Sequence, residues 1–438
     1  MVSTPLRSPS AVAAVTAVPP SSAPELDPVA RFVDENPYIR RMLAYPVGFV
    51  SASNWLASSI YVAAKLRVFD ALSHGPRTVA QIATEVDADV DALARLLRAL
   101  GGQGPVPGVL IEVFDSPLPF APAMLLPALP QLPFSAPRAP ALIEESERRY
   151  ALTPLGALLR TDAVGSMRPW AIFSGEELGR AWSNGLLEAV RNGKPDFGAS
   201  QRAPASAAPS GFFEYMAAHA DAGARFDASM EAVSEYAGIF DGLGLFDWSL
   251  GGRASTIVDV GGGTGTMLCA ILKAHRTLRG TLFDRSEVLG RAPAVLQRAA
   301  PGVRERVELV PGSFFDAPSI PAGADVYVLK NIAHDWADDD AARLLRCVGS
   351  AMRADSVLVL LDVVRSARLG YEPWVLDFAD FYDLNMLVTV GGKERSRAEW
   401  ERLLHSAGFE LVSIRAGAER GVSAIEATLR AGGSPSLP

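Results

Sequence analysis

From residue 255 onward, short β-rich runs alternate with helical segments. The runs are STIVDV, GTLFD, RVELV, DVYVLK and SVLVLLD, followed near the end by FELVSIRAG and SAIEATL. Five such runs separated by helical segments predict a doubly wound α/β sheet, because parallel neighbours need a crossover helix between them. The last two runs have no helical segment between them, so they predict a terminal antiparallel hairpin.

The first run leads into a glycine-rich loop, VDVGGGTGT, at residues 258–266. Glycines after a first strand let the backbone approach a ligand, and the next helix begins at its amide-rich end. The loop fails the nicotinamide fingerprint G-x-G-x-x-G, because Gly261 and Gly263 fit it but Thr266 occupies the last glycine position. Asp259 instead completes the pattern D-x-G-x-G-x-G. A carboxylate there suits a cationic amino-acid moiety better than a pyrophosphate.

The second run ends at Asp284. An acidic residue at this place in the fold is positioned to accept hydrogen bonds from both hydroxyls of a ribose. The glycine loop alone is a weak signal. Together with Asp259 and Asp284, it predicts a binding site for S-adenosylmethionine.

The N-terminal half has a different pattern, and a chain of 438 residues is long enough for two domains. Apolar residues at helical spacing predict helices over 54–72, 78–86 and 89–102. The segment RRYALTPLGALLR then indicates a short strand and a turn into a helix. Three helices followed by a strand pair outline a winged helix.

The charge of this winged helix argues against DNA binding. Between residues 61 and 100, five basic residues are matched by five acidic ones, so no basic face is left to neutralise phosphates. The net charge of −8 and the isoelectric point near 5.3 also argue against binding to nucleic acid. We therefore interpret the winged helix as an assembly module.

Changes in composition along the chain predict the boundaries of four regions. We expect a disordered tail over 1–30, a winged-helix domain over 31–165, a helical substrate-lining segment over 166–250 and the cofactor-binding domain over 251–438. Within the winged helix, residues 105–140 are apolar with a proline every few residues, which forbids a continuous helix and a central strand. This insertion is either disordered or an apolar flap that covers a site or a partner.

Other features bear on metals, membranes and location. Cys269 and Cys347 lie in predicted helices, far from any metal-ligand spacing, and fit buried apolar positions, so we expect no metal site. The N-terminus is rich in Ala, Pro and Ser and does not fit a signal peptide, and no stretch reaches transmembrane length without prolines. These features predict a cytoplasmic protein that binds neither membrane nor nucleic acid.

Six motifs occur in a fixed order: VDVGGGTGT, LFDRSEV, ELVPGSFFD, DVYVLKNIAHDW, DLNML and GGKERSRAEWERLLHSAGF. Together they resemble the S-adenosylmethionine-dependent O-methyltransferases of the plant caffeic acid and bacterial polyketide-tailoring type. LRVFDAL, RLLRAL and RYALTPLGALLR resemble the N-terminal part of the same family. The resemblance runs from about Val50 to the C-terminus, excluding two insertions. It implies a Rossmann-like class I methyltransferase domain that follows an all-α, winged-helix dimerisation domain in the chain. It also implies a homodimer and a small-molecule substrate of secondary metabolism that is aromatic or polyketide-like.

The resemblance assigns catalysis to His334, one of five histidines, in the family's H-D/E-W motif. Methyl transfer is an in-line displacement, and a mostly protonated phenol needs a base, for which an imidazole is suited near neutral pH. A carboxylate usually fixes the tautomer of such an imidazole. Asp362 stands where plant members have glutamate, and Glu394 matches a second partner position. Because Asp362 is one methylene shorter, Asp335 and Glu394 stay open as alternative partners.

The resemblance also implies contacts with the cofactor. Lys330 corresponds to a lysine beside the cofactor, and Trp336 to an aromatic residue that packs on adenine. Ser313 stands where the family has an aspartate near the adenine, which predicts a weaker contact, and Phe314 is expected to flank the adenine face. Four further residues are expected to line the acceptor cavity, although core packing explains them equally well: Trp182, Phe226, Met230 and Met386.

Other chemistries fit the same scaffold. Some relatives methylate carbon or nitrogen, and some keep the cofactor while catalysing hydroxylation, decarboxylation or a rearrangement. The presence of His334 with Glu394 favours proton abstraction and hence O-methylation. A winged-helix regulator that senses the cofactor is an alternative of another class, and the balanced charge of residues 61–100 argues against it.

Overall fold

The computed structural model describes residues 54–101, 110–113, 148–201, 211–237, 243–365, 378–416 and 422–430. The predicted tail over 1–30 lies outside the described residues, as does most of the insertion over 105–140. Both alternatives for that insertion therefore stay predictions.

The N-terminal part of the described chain combines helices with a small sheet. Its helices span Asn54–Lys65, Val68–Ala71, Val79–Val86 and Val90–Leu100. Strands β1 (Arg77–Thr78), β2 (Leu110–Val113) and β3 (Arg149–Leu152) form an antiparallel sheet in the order β1-β3-β2. This is the winged-helix outline that the sequence predicted. One detail differs, because β2 lies within the predicted insertion. It is an edge strand whose four residues contain no proline.

Local sequence explains where these helices begin. The Thr78 hydroxyl accepts a hydrogen bond from the N–H of Gln81, and the Gln81 side chain accepts one from the N–H of Thr78. Asp89 caps the start of the next helix in a similar way. The apolar faces of the helices and of β3 then meet in one buried core that includes Phe69, Ile82, Leu97 and Tyr150.

A helical segment follows the winged helix in the chain. Its helices span Pro154–Ala157, Arg168–Phe173, Leu186–Asn192, Phe197–Ser200, Phe212–Ala218 and Ala220–Ala237. Residues Ser174–Leu178 and Ala181–Gly185 are π-helical, a rare geometry that occurs frequently at functional sites. Glu177, fully buried in the first π-helical turn, pairs with Arg225 at 2.6 Å. This charge-assisted contact joins the turn to the long helix that contains Arg225.

The C-terminal half is built on one mixed sheet. Its strands are β4 (Thr256–Val260), β5 (Arg279–Asp284), β6 (Val307–Pro311), β7 (Val326–Lys330), β8 (Val357–Arg365), β9 (Arg395–Ser396), β10 (Phe409–Arg415) and β11 (Val422–Leu429). The order is β10-β11-β8-β7-β4-β5-β6, and β9 pairs in parallel with the end of β8. Strands β4 to β8 are parallel, whereas β11 runs antiparallel to β8 and to β10. The predicted doubly wound sheet and terminal hairpin are confirmed.

Helices cover both faces of this sheet. They span Thr266–Ala274, Ser286–Leu289, Ala292–Arg298, Asp338–Ala351, Phe378–Thr389 and Arg397–Ser406, with 3₁₀ turns at Arg304–Arg306, Ala317–Ser319 and Ala333–Asp335. One buried core contains Trp400 and Phe409, and a second contains Trp248 and Leu268. Because β4 to β8 are parallel, their carboxyl ends meet at one edge, where ligands bind in open α/β sheets. In the described part of the chain, no helix is both long and apolar enough to cross a membrane.

Candidate active site

The loop after β4 has the backbone conformation that its glycines predict. Gly261, Gly263 and Gly265 have φ angles of 71°, 62° and 87°, a region that other residues rarely adopt. A Cβ atom at Gly261 would lie 2.7 Å from Cδ1 of Ile332. Ile332 immediately precedes the 3₁₀ turn that contains His334. Glycine at position 261 therefore lets the loop pack closely against that turn.

Asp259 is fully buried near the end of β4, and neither of its oxygens has a hydrogen-bond partner among the residues that the structure describes. Burial and the charge of Asp284 raise the pKa of Asp259 to about 7, and the charge of Lys330 opposes them. A buried carboxylate without a partner is costly. The amino group of S-adenosylmethionine would satisfy it, so this position fits the amino-acid end of that molecule.

Asp284 ends β5 beside the same loop. Its Oδ2 accepts a hydrogen bond from the N–H of Gly263 at 2.8 Å, and its Oδ1 accepts one from the N–H of Arg285 at 2.7 Å. Burial raises the pKa of Asp284 above its usual value in spite of these two hydrogen bonds. Because a carboxylate oxygen has further lone pairs, both oxygens keep acceptor capacity for ribose hydroxyls.

Lys330 ends β7, which is the neighbour of β4 in the sheet. Burial lowers the pKa of Lys330, and the charges of Asp259 and Asp362 oppose that effect. The ammonium group is thus close enough to both carboxylates to interact with them electrostatically. It couples the predicted cofactor loop to the predicted catalytic group.

Three aromatic rings surround Trp336. Its ring centroid lies 4.7 Å from that of Phe315, 6.0 Å from that of Phe314, and 5.8 Å from that of Phe213 in a stacked arrangement. A Cβ atom at Gly261 would lie 3.6 Å from Cε1 of Phe314, so this cluster borders the glycine loop. The structure brings together Trp336 and Phe314, the two residues expected at the adenine. Phe213 was not predicted, because no spacing in the sequence relates it to Trp336.

Ser313 immediately precedes Phe314 and Phe315 in the chain and is exposed. Its hydroxyl accepts a hydrogen bond from the N–H of Phe315 at 3.3 Å. The side chain therefore stabilises the local backbone, and a contact between Ser313 and an adenine stays a prediction.

The imidazole of His334 is held by a buried carboxylate. Nδ1 of His334 lies 2.8 Å from Oε1 of Glu394, and both side chains are buried. Glu394 immediately precedes β9, and the parallel pairing of β9 with β8 places it at the carboxyl edge of the sheet. Asp362 lies in β8, with its Oδ1 3.9 Å from the same nitrogen. Of the three candidate partners, Glu394 makes the hydrogen bond to Nδ1.

Asp335 lies on the other side of the ring, with its Oδ1 3.5 Å from Nε2 of His334. Burial alone would lower the pKa of His334, but the charge of Asp335, the hydrogen bond to Glu394 and the charge of Asp362 raise it to about 10. Burial raises the pKa of Asp335 to about 6 and that of Asp362 to about 7. From the sequence alone, His334 is expected to have the ordinary pKa of an imidazole. The structure instead surrounds it with three carboxyl groups that stabilise its cation.

The four residues expected to line the acceptor cavity lie on three helical elements: Trp182 in the turn Ala181–Gly185, Phe226 and Met230 in the helix Ala220–Ala237, and Met386 in the helix Phe378–Thr389. Trp182 donates its Nε1–H to Oδ1 of Asn385 at 3.0 Å, and Asn385 precedes the buried Met386 in the helix Phe378–Thr389. Trp182 and Phe226 pack against the same apolar core, which includes Phe173, Phe197, Phe212 and Val388. Met230 is half-buried one turn along the helix from Phe226 and lies outside that core of described residues.

Comparison with known proteins gives two family matches. Residues 182–410 match the O-methyltransferase domain, and residues 51–105 match the O-methyltransferase dimerisation domain. The first match covers the π-helical turn with Trp182, the glycine loop, His334 and Glu394.

Individual relatives cover most of the chain. It is 34% identical over 365 residues to 8-amino-8-demethylriboflavin N,N-dimethyltransferase of Streptomyces davaonensis, covering 82% of this chain and 88% of the relative. It is 31% identical to the phenazine O-methyltransferase of Lysobacter antibioticus, covering 85% of this chain and 92% of the relative. One similar solved structure is an O-methyltransferase from neocarzinostatin biosynthesis, in complex with S-adenosylmethionine and 2-hydroxy-5-methyl naphthoic acid. Its TM-score is 0.63 at 29% identity, with 85% of this chain and 96% of that chain covered.

Proposed function

This chain belongs to the O-methyltransferase family and uses S-adenosylmethionine, and from that premise we infer that it methylates a hydroxyl group of a small aromatic molecule, with His334 as the general base. The observation that carries this inference is the hydrogen bond between Nδ1 of His334 and Oε1 of Glu394, 2.8 Å long and buried. In the neutral imidazole whose Nδ1–H donates a hydrogen bond to Glu394, Nε2 is the nitrogen with a free lone pair. That nitrogen can take the proton of an acceptor hydroxyl.

S-adenosylmethionine supplies the methyl group, attached to a positively charged sulfur. On this proposal, Asp259 binds its amino group, the loop containing Gly261 and Gly263 lets the backbone approach it, and Asp284 accepts from its ribose hydroxyls. The aromatic cluster around Trp336 and Phe314 packs on the adenine, with Ser313 at its edge and Lys330 beside the carboxylates. The strongest support for this set of contacts is the buried carboxyl group of Asp259, whose oxygens have no hydrogen-bond partner among the described residues.

The proton balance around His334 sets the pH at which the base works. An imidazole with a pKa of about 10 holds its proton at neutral pH, and a base must first lose it. The carboxyl groups of Asp335 and Asp362 have pKa values raised to about 6 and 7, so they take up protons as the pH falls. The reactive form, with a neutral His334, therefore becomes more abundant as the pH rises above neutrality.

An aromatic acceptor agrees with the apolar side chains of the helices that are expected to line its cavity. Trp182, Phe226 and Phe213 pack against one apolar core, and Met386 and Met230 lie on the helices that contribute to it or adjoin it. Ligand sites of this kind are mostly apolar, with few polar groups to orient the ligand. One relative has been solved with a naphthoic acid bound, which supports the same class of acceptor here.

A second candidate is methylation of an aromatic amine, because one relative is named an N,N-dimethyltransferase. An aromatic amine carries a free lone pair and attacks without first losing a proton, whereas a phenol gains much from a base. O-methylation of a phenol therefore depends on His334 as a base, whereas N-methylation of an aromatic amine does not.

The test pairs acceptors that differ in one atom. Naphthols and the corresponding naphthylamines, and phenols and the corresponding anilines, are incubated with S-adenosylmethionine labelled in its methyl group. The products are separated to find which atom has gained the label. We expect label on oxygen, and we expect His334→Ala to abolish most of it. Label on nitrogen alone, with His334→Ala as active as wild type, would contradict both the O-methylation and the role of His334.

A further inference from the structure

Arg395 directly follows Glu394 and is fully buried, which is unusual for arginine. Its Nη1 donates to the carbonyl oxygen of Ala333 at 2.9 Å, and its Nη2 donates to that of Trp336 at 2.7 Å. These two carbonyls lie on either side of His334 in the chain. The planar guanidinium therefore holds the turn Ala333–Asp335 at both of its ends.

The same short segment makes three more contacts with that turn. The N–H of Lys393 donates to the carbonyl oxygen of His334 at 2.9 Å, and Glu394 holds Nδ1 of its ring. At Gly392 a Cβ atom would overlap that same carbonyl oxygen, so only glycine permits the close approach. Residues 392–395 thus fix both the backbone and the side chain of His334.

The backbone just before the turn is also specialised. Asn331 has a φ angle of 53°, in the left-handed region, which asparagine adopts more readily than most other residues with a side chain. Residues held in this region by the surrounding structure cluster at functional sites. The Nε of Arg395 also donates to Oδ1 of Asp338 at 3.0 Å, which orients the guanidinium toward the turn.

We infer that Arg395 is a positioning residue for His334: it keeps the turn in the one conformation in which the imidazole meets Glu394 on one side and the acceptor on the other. This inference rests on the proposed function, because a fixed imidazole matters for catalysis only if His334 is the base. The contact itself does not depend on that role. The two can be tested separately.

The test uses Arg395→Lys with Arg397→Lys as the matched control. Lysine keeps the positive charge and can reach Asp338, but it lacks the planar fork that contacts two carbonyls at once. Arg397 is exposed and pairs with Glu401 on the helix surface, so the same replacement there leaves the turn unchanged.

The first measurement is single-turnover methylation of a phenol against pH. We expect Arg395→Lys to slow the step roughly 10- to 100-fold at neutral pH, the size of effect that a small misplacement of a reacting group produces. The deficit should shrink as the phenol ionises, since a phenolate needs no base, and the affinity for S-adenosylmethionine should stay at the wild-type value. A deficit of equal size at every pH would mean a general loss of structure and would overturn the inference.

The second measurement needs no catalysis. In protein labelled with ¹⁵N-histidine, the Nδ1–H resonance of His334 is assigned by its absence in His334→Ala. We expect this resonance to shift or broaden in Arg395→Lys and to be unchanged in Arg397→Lys; an unchanged resonance in Arg395→Lys overturns the inference. If His334→Ala proves fully active while the resonance still shifts, the proposed function fails and the positioning contact stands.

Should Arg395→Lys fail to fold, Asp338→Asn replaces it. This variant keeps the arginine and its two carbonyl contacts but removes the charge that orients the guanidinium. We expect the same pH-dependent deficit at smaller size. A deficit that does not vary with pH, or none at all, would overturn the inference.

Discussion

Nδ1 of His334 and Oε1 of Glu394 lie 2.8 Å apart in the interior, although 60 positions separate the two residues in the chain. His334 lies in the turn after β7, and Glu394 immediately precedes the two-residue strand β9. The pairing of β9 with the end of β8 is what brings the two together. A buried carboxylate that accepts from Nδ1 selects the tautomer with Nε2 unprotonated, which is the form that a base requires.

His334→Ala should slow the chemical step with a phenol about 10²–10⁴-fold, the usual contribution of a general base. The affinity for S-adenosylmethionine should stay nearly unchanged, because the imidazole acts on the acceptor. Single-turnover methyl transfer against pH checks this, and the loss should shrink once the pH exceeds the pKa of the phenol, because a phenolate needs no base. The control is His405→Ala, which removes an exposed imidazole from a surface helix. Parallel pH profiles at full activity would remove His334 from the mechanism.

Asp335→Asn should move the rising limb of the pH–rate profile to lower pH. Among the influences that raise the pKa of His334 to about 10, the charge of Asp335 is the largest. Without it the imidazole loses its proton more easily, so the base form appears earlier as the pH rises. The measurement is kcat/KM against pH, and Asp339→Asn, the same change at an exposed position of the following helix, is the control. A limb that does not move would show that His334 is not the group that titrates.

The sequence predicted most of the fold, because the alternation of β-rich and helical runs is long and regular. It did not predict β9, since a strand of two residues has no periodicity, and so it left Asp362, Asp335 and Glu394 open as partners of His334. The pairing of β9 with β8 brings Glu394 within hydrogen-bond distance of Nδ1 of His334, which the sequence alone does not reveal.

Other parts of the site could not be predicted from the sequence for a similar reason. The stacking of Phe213 on Trp336 joins residues from distant segments, and the burial of Arg395 reverses the usual preference of an arginine. The pKa of His334 depends on three carboxyl groups meeting in space, which residue types alone do not determine. The glycine loop was predictable, because the positive φ angles at Gly261, Gly263 and Gly265 are a local demand that glycine meets at each of these positions.

Asp284→Ala should weaken the binding of S-adenosylmethionine by about 2–4 kcal/mol, through the loss of acceptors for two ribose hydroxyls. The loss also frees the N–H of Gly263, which Asp284 holds at 2.8 Å, so the glycine loop loses a restraint. Isothermal titration calorimetry measures the affinity. Glu287→Ala removes a nearby exposed carboxylate and should leave the affinity almost unchanged. Equal affinities in the two variants would contradict the assignment of Asp284.

The protein should be a homodimer in solution, with twice the chain mass of 46.5 kDa by light scattering at micromolar concentration. Residues 51–105 match a dimerisation domain, and Val62 and Val90 are exposed apolar residues within it. Val62→Lys should therefore shift the protein toward the monomer, because it places a charge on a face expected to be covered. Val412→Lys, at an exposed position on β10, is the control. A monomeric wild type would contradict the prediction.

Asp325→Ala should lower the stability of the sheet without touching the site. Asp325 lies just before β7, at the amino end of the sheet, and its Oδ2 accepts from the N–H groups of Ser255 and Thr256 at 2.8 and 2.9 Å. Its Oδ1 pairs with Arg353 at 2.6 Å. The variant leaves these donors without their acceptor, which should cost about 1–3 kcal/mol in the free energy of unfolding by urea.

The pH dependence of that loss identifies its cause. Burial alone would raise the pKa of Asp325, but the hydrogen bonds from Ser255, Arg353 and Thr256 hold it well below the usual range. A carboxyl group whose pKa is depressed by folding stabilises the native state above its unfolded pKa of about 4, and this contribution is lost as the pH falls toward the folded value. The difference in unfolding free energy between wild type and Asp325→Ala should thus be largest at neutral pH and should shrink below about pH 4. Asp355→Ala removes the exposed partner of the same Arg353 and should change the stability much less, because surface ion pairs contribute little. If the two variants lose equal stability, the backbone contacts of Asp325 are not what join β4 to β7 at this end of the sheet.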